Sequence, residues 1–234
     1  MAQMVIILIP RAMICVGRIS DVLNHTPEIA DGPASISPAV RQKVPAQDVI
    51  RFKNTGFRFP DAGEDTLTNL NFACRRGQTT AIIGSTGSGK STLLNLIPRF
   101  FDATAGEVLV DGVNVKDMDL DVLRKKIGFV PQKAVLFTGT IAENIRYGDE
   151  SADMDRVIHA AKIAQADDFI RQSEHGYDTN VSQSGKNFSG GQKQRLSIAR
   201  ALCRDAEIYV FDDSFSALDF KTDAALRAAL KEEV

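Results

Sequence analysis

Residues 84–91 read GSTGSGKS, and this stretch decides the fold. It matches the pattern G-x-x-x-x-G-K-[ST], with an apolar run before it and the helical spacing of STLLNLI after it. Glycines let the backbone curl so that its N–H groups face inward, and the following helix points its positive dipole end at the same place. Lys90 can then supply charge to the β- and γ-phosphates of a nucleotide, and the Ser91 hydroxyl can bind Mg²⁺. The alternative is a glycine-rich turn without a ligand.

A second short apolar run, IYVF at residues 208–211, ends in two acids, Asp212 and Asp213. A carboxylate at the tip of a core strand beside a phosphate loop is placed to hold Mg²⁺ through water. We assign that role to Asp212, the Walker B position. The alternative is an acid on a surface turn.

From residue 49 onward the chain alternates between short apolar runs and helical spacing, which predicts an α/β fold with a largely parallel sheet. TTAIIG, residues 79–84, predicts a short buried strand directly before the loop. Asp111-Gly112 separates two β-branched runs and predicts a two-residue hairpin. SGGQKQRLSIARALC predicts a helix with Ser189 as its N-cap. Further strands are predicted at 49–59, 67–74, 127–132 and 208–211, and further helices at 91–97, over 140–172 and at 222–234.

Composition excludes several classes of protein. The 234 residues are 44% apolar and 25% charged, so disorder is excluded as the main state. With a net charge of −2, the chain lacks the excess of basic residues that nucleic-acid binders usually show. Three cysteines far apart fit neither a disulfide framework nor a zinc site, and they favour a reducing compartment.

The first sixteen residues, MAQMVIILIPRAMICV, form the only strongly apolar stretch. A secretory signal lacks support because no basic segment precedes the run and Arg11 interrupts it. A complete membrane span needs about 20 apolar residues, so two other interpretations remain: a core helix, or the end of a span that begins outside this sequence. We favour the last. Residues 17–47 begin with amphipathic spacing, become rich in Pro, Ala and Ser, and read as a linker or as a loop packed on the domain.

Three further segments narrow the choice of family. Residues 188–192 read FSGGQ and resemble the signature motif of ABC-transporter ATPases. Residues 216–219, SALD, resemble that family's D-loop, and Gln132 in FVPQ stands at the position of its Q-loop glutamine. The resemblance covers about residues 48–234. It implies a P-loop NTPase fold with a RecA-like core, an antiparallel β subdomain and an α-helical subdomain, and it implies ATP and Mg²⁺ as cofactors.

The resemblance also implies roles for individual residues. Phe59 stands where the family has the aromatic that stacks on adenine, usually Tyr; the alternative is a core strand residue paired with Phe57. The implied Mg²⁺ ligands are Ser91, Gln132 and Asp212, and the implied catalytic residues are Asp213 and Gln132. The implied ATP-binding residues are Phe59, Gly84, Ser85, Thr86, Gly87, Ser88, Gly89, Lys90, Ser91 and Thr92. The signature residues Phe188, Ser189, Gly190, Gly191 and Gln192 would face the ATP of a partner domain, and the D-loop comprises Ser216, Ala217, Leu218 and Asp219.

The family pairs two such domains head to tail with two ATPs between them. FTGTIAENIRYG, residues 137–148, resembles exporters that fuse a permease and an ATPase in one chain, and residues 1–16 resemble the end of the last permease helix. Residues 181–187, VSQSGKN, stand where such exporters contact the permease; the alternative is a polar loop without a partner. The resemblance therefore implies an exporter in the cell membrane, with the ATPase domain on the cytoplasmic face and the permease domain as a partner.

Two departures from the family pattern affect the predicted activity. Asp213 replaces the usual Glu, whose carboxylate would reach about 1 Å further, and a misplacement of that size can cost roughly 10²-fold in rate. The signature resembles an intact one, apart from Phe188 in place of Leu. A weakened site of its own combined with that signature resembles one half of a heterodimeric exporter whose partner carries the Glu. None of the histidines, His25, His159 and His175, follows the D-loop, so we expect the switch histidine and last strands to be truncated away. The isolated chain is predicted to bind ATP with little hydrolysis.

Two other functions share these motifs. A soluble ABC-type ATPase that acts on nucleic acid or ribosomes would also carry the phosphate loop and the signature. The net charge of −2 and the permease-like N-terminal stretch argue against it. The second alternative is a regulatory module that binds ATP without hydrolysing it. Because Asp213 predicts a slow site, an exporter that contains this chain would also have one site that binds ATP with little hydrolysis.

Overall fold

The computed structural model describes residues 2–32, 45 and 47–233, and the chain divides into two compact units, residues 1–30 and 31–234. The first unit consists of α1 (Ala2–Leu23), which contains Pro10. The helical spacing at the start of the predicted linker is confirmed, because α1 continues through residues 17–23. The large apolar side chains from Leu8 to Leu23 are exposed. Among the helices of the described residues, none has the length and apolar character to cross a membrane.

Most of the Pro-rich part of the predicted linker lies outside the described residues, which resume at residue 45 and then from residue 47 onward. The second unit begins with an antiparallel sheet in the order β2-β1-β3-β4. Its hairpin turn at Asp111 and Gly112 has φ values of 49° and 79°, the left-handed pair that a two-residue turn requires, so the predicted hairpin is confirmed. The strands are β1 (Asp48–Phe57), β2 (Leu67–Arg75), β3 (Ala105–Val110) and β4 (Val113–Asn114).

The parallel part of the fold consists, in the described residues, of β5 (Ile127–Val130) and β8 (Ile208–Phe211). Their register pairs Val130 with Phe211, so the two strands end together. The predicted buried strand at 79–84 is wrong: this segment is not a strand, and Ile83 is 92% exposed. A strand needs a neighbour to complete its hydrogen-bond ladder, and no described strand pairs with this segment. α2 (Lys90–Leu96) follows the phosphate loop, and α3 (Leu120–Lys125) precedes β5.

A helical region separates β5 from β8. It contains α4 (Ile141–Arg146), α5 (Met154–Ile163), α6 (Asp167–Arg171) and a two-strand antiparallel ladder of β6 (Gly139–Thr140) and β7 (Asn180–Val181). α7 (Gly190–Cys203) packs against α4 and α5, and its buried residues join one continuous apolar core. α8 (Phe220–Glu233) closes the described chain. The predicted helices over 140–172 and at 190–203 are confirmed.

Four alternating charges connect the antiparallel sheet to the parallel strands. Lys126 Nζ, just before β5, lies 2.9 Å from Asp111 Oδ2 and 2.7 Å from Glu207 Oε1, just before β8. Arg76 Nη2, just after β2, lies 3.1 Å from Asp111 Oδ1 and 3.4 Å from Glu207 Oε2. The network lies at the amino ends of β5 and β8, and their carboxyl ends carry the candidate site.

Candidate nucleotide-binding site

The phosphate loop holds two glycines in backbone conformations that only glycine adopts easily. Gly87 and Gly89 have φ values of 82° and 85°. A Cβ at Gly89 would lie 2.8 Å from Leu67 Cδ2 and 3.2 Å from Thr66 O, whereas a Cβ at Gly87 would meet nothing within 4 Å. The residue before α2 is Gly89, and it makes no side-chain cap. The start of α2 therefore has no side chain of its own to satisfy its N–H groups, which suits an external anion.

Lys90 and Ser91 are the first two residues of α2; Lys90 contacts the loop, and Ser91 contacts the acid that follows β8. Lys90 Nζ donates to Gly84 O at 2.9 Å and to Ser85 O at 2.7 Å, so the ammonium group lies over the loop backbone. Ser91 Oγ donates to Asp212 Oδ1 at 2.9 Å. The structure thus brings together two of the three side chains that the sequence assigned to Mg²⁺, although they lie 121 residues apart in the chain.

The carboxyl ends of β5 and β8 carry the remaining polar groups. Asp212 is 8% exposed, and its N–H donates to Val130 O at 2.9 Å. Asp213 is exposed, has a left-handed φ of 45°, and accepts a hydrogen bond from Gln132 Nε2 at 3.3 Å. The two predicted catalytic residues therefore lie together at the same sheet edge as Asp212.

Phe59 lies two residues beyond the end of β1 and is 38% exposed. Its ring makes edge contacts with Phe57 at 4.8 Å and Phe101 at 5.5 Å between centroids. A groove of about 500 Å³ is lined by Phe59, Arg58 and Thr104, among others. The half-exposed ring leaves surface for a stacking partner, while its contact with Phe57 also matches the packing alternative, so adenine stacking stays a prediction.

The signature turn is capped by its own side chains. Ser189 Oγ accepts from Gln192 N at 3.2 Å, and Gln192 Oε1 accepts from Ser189 N at 2.9 Å, so the predicted N-cap is confirmed. A Cβ at Gly191 would lie 3.0 Å from Ala217 O of the D-loop. A Cβ at Gly190 would meet nothing within 4 Å. Within the described residues, packing therefore gives a reason for glycine at Gly191 and none at Gly190.

The D-loop joins the acids at the end of β8 to α8. Ser216 Oγ donates to Asp213 O at 3.0 Å. Asp219 accepts from Thr222 Oγ1 at 2.7 Å and from Thr222 N at 3.0 Å, which caps α8. These hydrogen bonds lower the pKa of Asp219 below its ordinary value.

The donor set fits magnesium. Asp212 and Gln132 offer oxygen atoms, and Ser91 offers a hydroxyl, the hard ligands that Mg²⁺ prefers. In the part of the chain that the structure describes, no cluster of three His, Cys, Asp or Glu residues could hold a metal by itself. Mg²⁺ usually binds through one or two protein ligands together with substrate phosphates, so this site suits Mg²⁺ that arrives with a nucleotide.

Sequence reasoning missed the residue that organises the surface beside Gln132. Arg200 of α7 donates to Asn144 O and Val135 O, both at 2.9 Å, and its guanidinium lies over the rings of Phe137 and Tyr147. Burial lowers the pKa of Arg200. Arg200 and Val135 line a cleft of about 260 Å³ together with the exposed rings of Phe137 and Tyr147. The available signal was a lone arginine on the apolar stretch LSIARAL.

Comparison with known proteins identifies the family. The sequence profile described as "ABC transporter" matches residues 67–216. An uncharacterized ABC transporter ATP-binding protein of Mycobacterium tuberculosis is 44% identical over 99% of this chain, and a protein of Rhodopseudomonas palustris named as a β-(1→2)glucan export ATP-binding/permease protein is 41% identical over 91%. The solved structure of a bacterial Atm1-family ABC exporter with ATP bound superposes with a TM-score of 0.84 at 35% identity over 96% of this chain.

The chain spans 39%, 34% and 38% of the lengths of these three proteins, respectively. The matched segment contains the phosphate loop, Gln132, the signature and the acids after β8, and the fold combines an antiparallel sheet, a helical region and a parallel core, as the sequence predicted. The chain therefore belongs to the ABC transporter family.

Proposed function

We propose that this chain is the ATP-binding motor domain of an exporter, in which ATP binding and hydrolysis drive substrate across the cell membrane. The observation that carries the proposal is the 2.9 Å hydrogen bond from Ser91 Oγ to Asp212 Oδ1. It places a hydroxyl of the phosphate-loop helix against the acid at the end of β8, as binding of a magnesium–nucleotide complex requires. Relatives named as a glucan export ATP-binding/permease protein and an ATP-dependent lipid A-core flippase support the exporter assignment.

Each part of the site has a defined task in this proposal. The backbone N–H groups of the loop and of the start of α2 bind the phosphates. The Lys90 ammonium group exchanges its hydrogen bonds to the loop carbonyls for contacts with the negatively charged phosphates. Asp212, Ser91 and Gln132 would hold Mg²⁺, which when bound would supply positive charge against the phosphates. Phe59 stacks on adenine with its exposed face. Asp213 accepts a proton from the attacking water or orients that water.

The partner in this proposal is a second ABC ATPase domain, bound head to tail. The support from the structure is the signature turn, where Gly190 leaves open surface and α7 begins with its dipole end exposed. A glycine that packing does not require suits close approach of a ligand held by another domain. The γ-phosphate would then be bound from both sides.

We further propose that the chain's own site is slow and that the partner carries the usual Glu. Asp213 is one methylene shorter than Glu and sits in a left-handed conformation that is unfavourable for most side chains. Its carboxylate hydrogen-bonds Gln132 rather than extending freely. This arrangement supports a catalytically weak site that still binds ATP and lends an intact signature to its partner.

The permease partner of the same polypeptide remains a proposal as well. Residues 1–16 would be the end of the last permease helix, 17–47 the linker and 48–234 the ATP-binding domain. The cleft at Phe137 and Tyr147 offers exposed aromatic surface for a cytoplasmic loop of the permease. In this proposal the domain lies on the cytoplasmic face of the cell membrane.

Binding of a fluorescent ATP analogue to the purified chain tests the nucleotide site. We expect Ser91→Ala and Asp212→Asn to remove the increase in affinity that Mg²⁺ gives, because each deletes a ligand. Ser173→Ala is the matched control, since its hydroxyl contacts Phe169 O at 3.0 Å. A folded wild-type chain that does not bind the analogue would contradict the proposal.

Turnover in the complete transporter tests the slow-site proposal. We expect Asp213→Asn to change ATP hydrolysis little, and removal of the partner's Glu to abolish it. Asp213→Glu should raise hydrolysis by up to roughly 10²-fold at this site, measured with the partner's site inactivated. If Asp213→Asn abolishes turnover as fully as loss of the partner's Glu does, the site is not degenerate.

A further inference from the structure

Ser214 follows directly after the two acids, and its side chain is completely buried. Its Oγ lies 3.1 Å from Val130 O and 3.2 Å from Asp212 O, so one hydroxyl proton can be shared between the two carbonyls. A buried hydroxyl costs free energy unless it is hydrogen-bonded. The two contacts therefore satisfy a polar side chain that is buried.

These contacts join the ends of two strands. Val130 is the last residue of β5, and its carbonyl also accepts the Asp212 N–H at 2.9 Å. Gln132 follows two residues after Val130, and Asp213 lies between Asp212 and Ser214. The Ser214 hydroxyl thus adds a second hydrogen bond between the end of β5 and the turn after β8. Gln132 and Asp213 extend from these two segments, and their side chains meet at 3.3 Å.

We propose that Ser214 is a positioning residue for the magnesium side of the nucleotide site. Its hydroxyl fixes the turn that carries Asp212 against the end of β5, so that the oxygen atoms that face Mg²⁺ are preset. The inference rests on the proposed nucleotide function. Its effect falls on the Mg²⁺-dependent part of binding, because Lys90 bonds to loop carbonyls and shares no partner with Ser214.

The test compares the affinity of the chain for a fluorescent ATP analogue in excess Mg²⁺ with its affinity in EDTA. Groups that orient a metal ligand contribute about 10-fold or more to metal affinity. We therefore expect Ser214→Ala to reduce the ratio of the two affinities about 10-fold. The affinity in EDTA should stay that of the wild type, which also shows that the phosphate loop is folded.

Two further variants separate positioning from a general loss of structure. Ser173→Ala removes a hydroxyl that contacts a carbonyl elsewhere and should leave the ratio unchanged. Asp212→Asn should remove the Mg²⁺ effect, and adding Ser214→Ala to it should lower the ratio no further, because both changes act through one ligand.

Two results would overturn the inference: an unchanged ratio in Ser214→Ala, or an equal loss of affinity in Mg²⁺ and in EDTA. A wild-type chain that binds the analogue without any Mg²⁺ effect would remove the proposed magnesium site and this inference with it. If the wild-type chain binds more tightly in Mg²⁺ than in EDTA and Ser214→Ala shows the same ratio of affinities, only this inference fails and the proposed magnesium site stands.

Discussion

The helices α2 and α7 both begin at glycine-rich turns, but only α7 supplies its own cap. At the signature turn, Ser189 and Gln192 exchange hydrogen bonds that satisfy two backbone N–H groups. At the phosphate loop, Gly89 provides no such bond, and α2 has only seven residues. Free N–H groups at a helix start need side chains, water or a ligand. The start of α2 therefore leaves N–H groups that an anion could satisfy, whereas the start of α7 is capped by its own side chains.

One glycine of each turn, Gly89 and Gly190, shows a related difference. Gly89 is required by this chain's own backbone, because it has a left-handed φ and touches Leu67 and Thr66. A Cβ at Gly190 would meet nothing within 4 Å, and the φ of Gly190 is not left-handed.

The largest expected effect is on nucleotide affinity at the phosphate loop. Lys90→Ala removes the ammonium group over the loop, and hydrogen bonds to charged groups contribute about 1.5–3 kcal/mol. We expect the affinity for the ATP analogue to fall roughly 10- to 100-fold with little change in the unfolding midpoint. Lys162→Ala, an exposed change on α5, is the control. Equal losses in both variants would show that Lys90 has no special role.

Two alanine substitutions in the phosphate loop separate backbone strain from steric contact. Gly87→Ala forces a left-handed alanine into open space, which costs about 1–2 kcal/mol. Gly89→Ala adds a Cβ 2.8 Å from Leu67 Cδ2, and we expect a total loss of about 3 kcal/mol in the free energy of unfolding. Denaturant unfolding measures both. The same loss in the two variants would mean that the contact with Leu67 does not constrain the loop.

The cap of α7 predicts a smaller effect on stability. Ser189→Ala deletes the acceptor for Gln192 N, and loss of an N-cap costs about 1 kcal/mol. Ser189→Asn keeps a capping oxygen and should retain most of the stability. Thermal unfolding distinguishes them, and the affinity of the isolated chain for the ATP analogue should not change. A loss of nucleotide affinity in Ser189→Ala would contradict the assignment of this turn to a partner's ATP.

Sequence reasoning succeeded where the signal was local. The hairpin at Asp111-Gly112 and the cap at Ser189 depend on neighbouring residues, and the structure confirms both. The strand predicted at 79–84 failed because a strand also depends on neighbours that are distant in sequence.

The candidate site shows the same division. The phosphate-loop motif and the acids after β8 were predicted to meet, and Ser91 contacts Asp212. The hydroxyl of Ser214 and the contacts of Arg200 with Asn144 and Val135 were not predicted. Those contacts join elements far apart in the chain, and no short pattern of residue types encodes them.

The smallest expected effect on the isolated chain separates the two turns most clearly. Gly190→Ala places a better helix former at the first position of α7 in open space, so we expect the stability to stay the same or to rise by less than about 1 kcal/mol. The affinity for the ATP analogue should also stay that of the wild type. In the complete transporter, the new methyl group would stand where the partner's phosphates approach, so ATP hydrolysis should fall sharply. The chain's own fold gives no other reason for such a loss, so a sharp fall would support a partner at Gly190. Retained hydrolysis would mean that the open surface at Gly190 binds no partner.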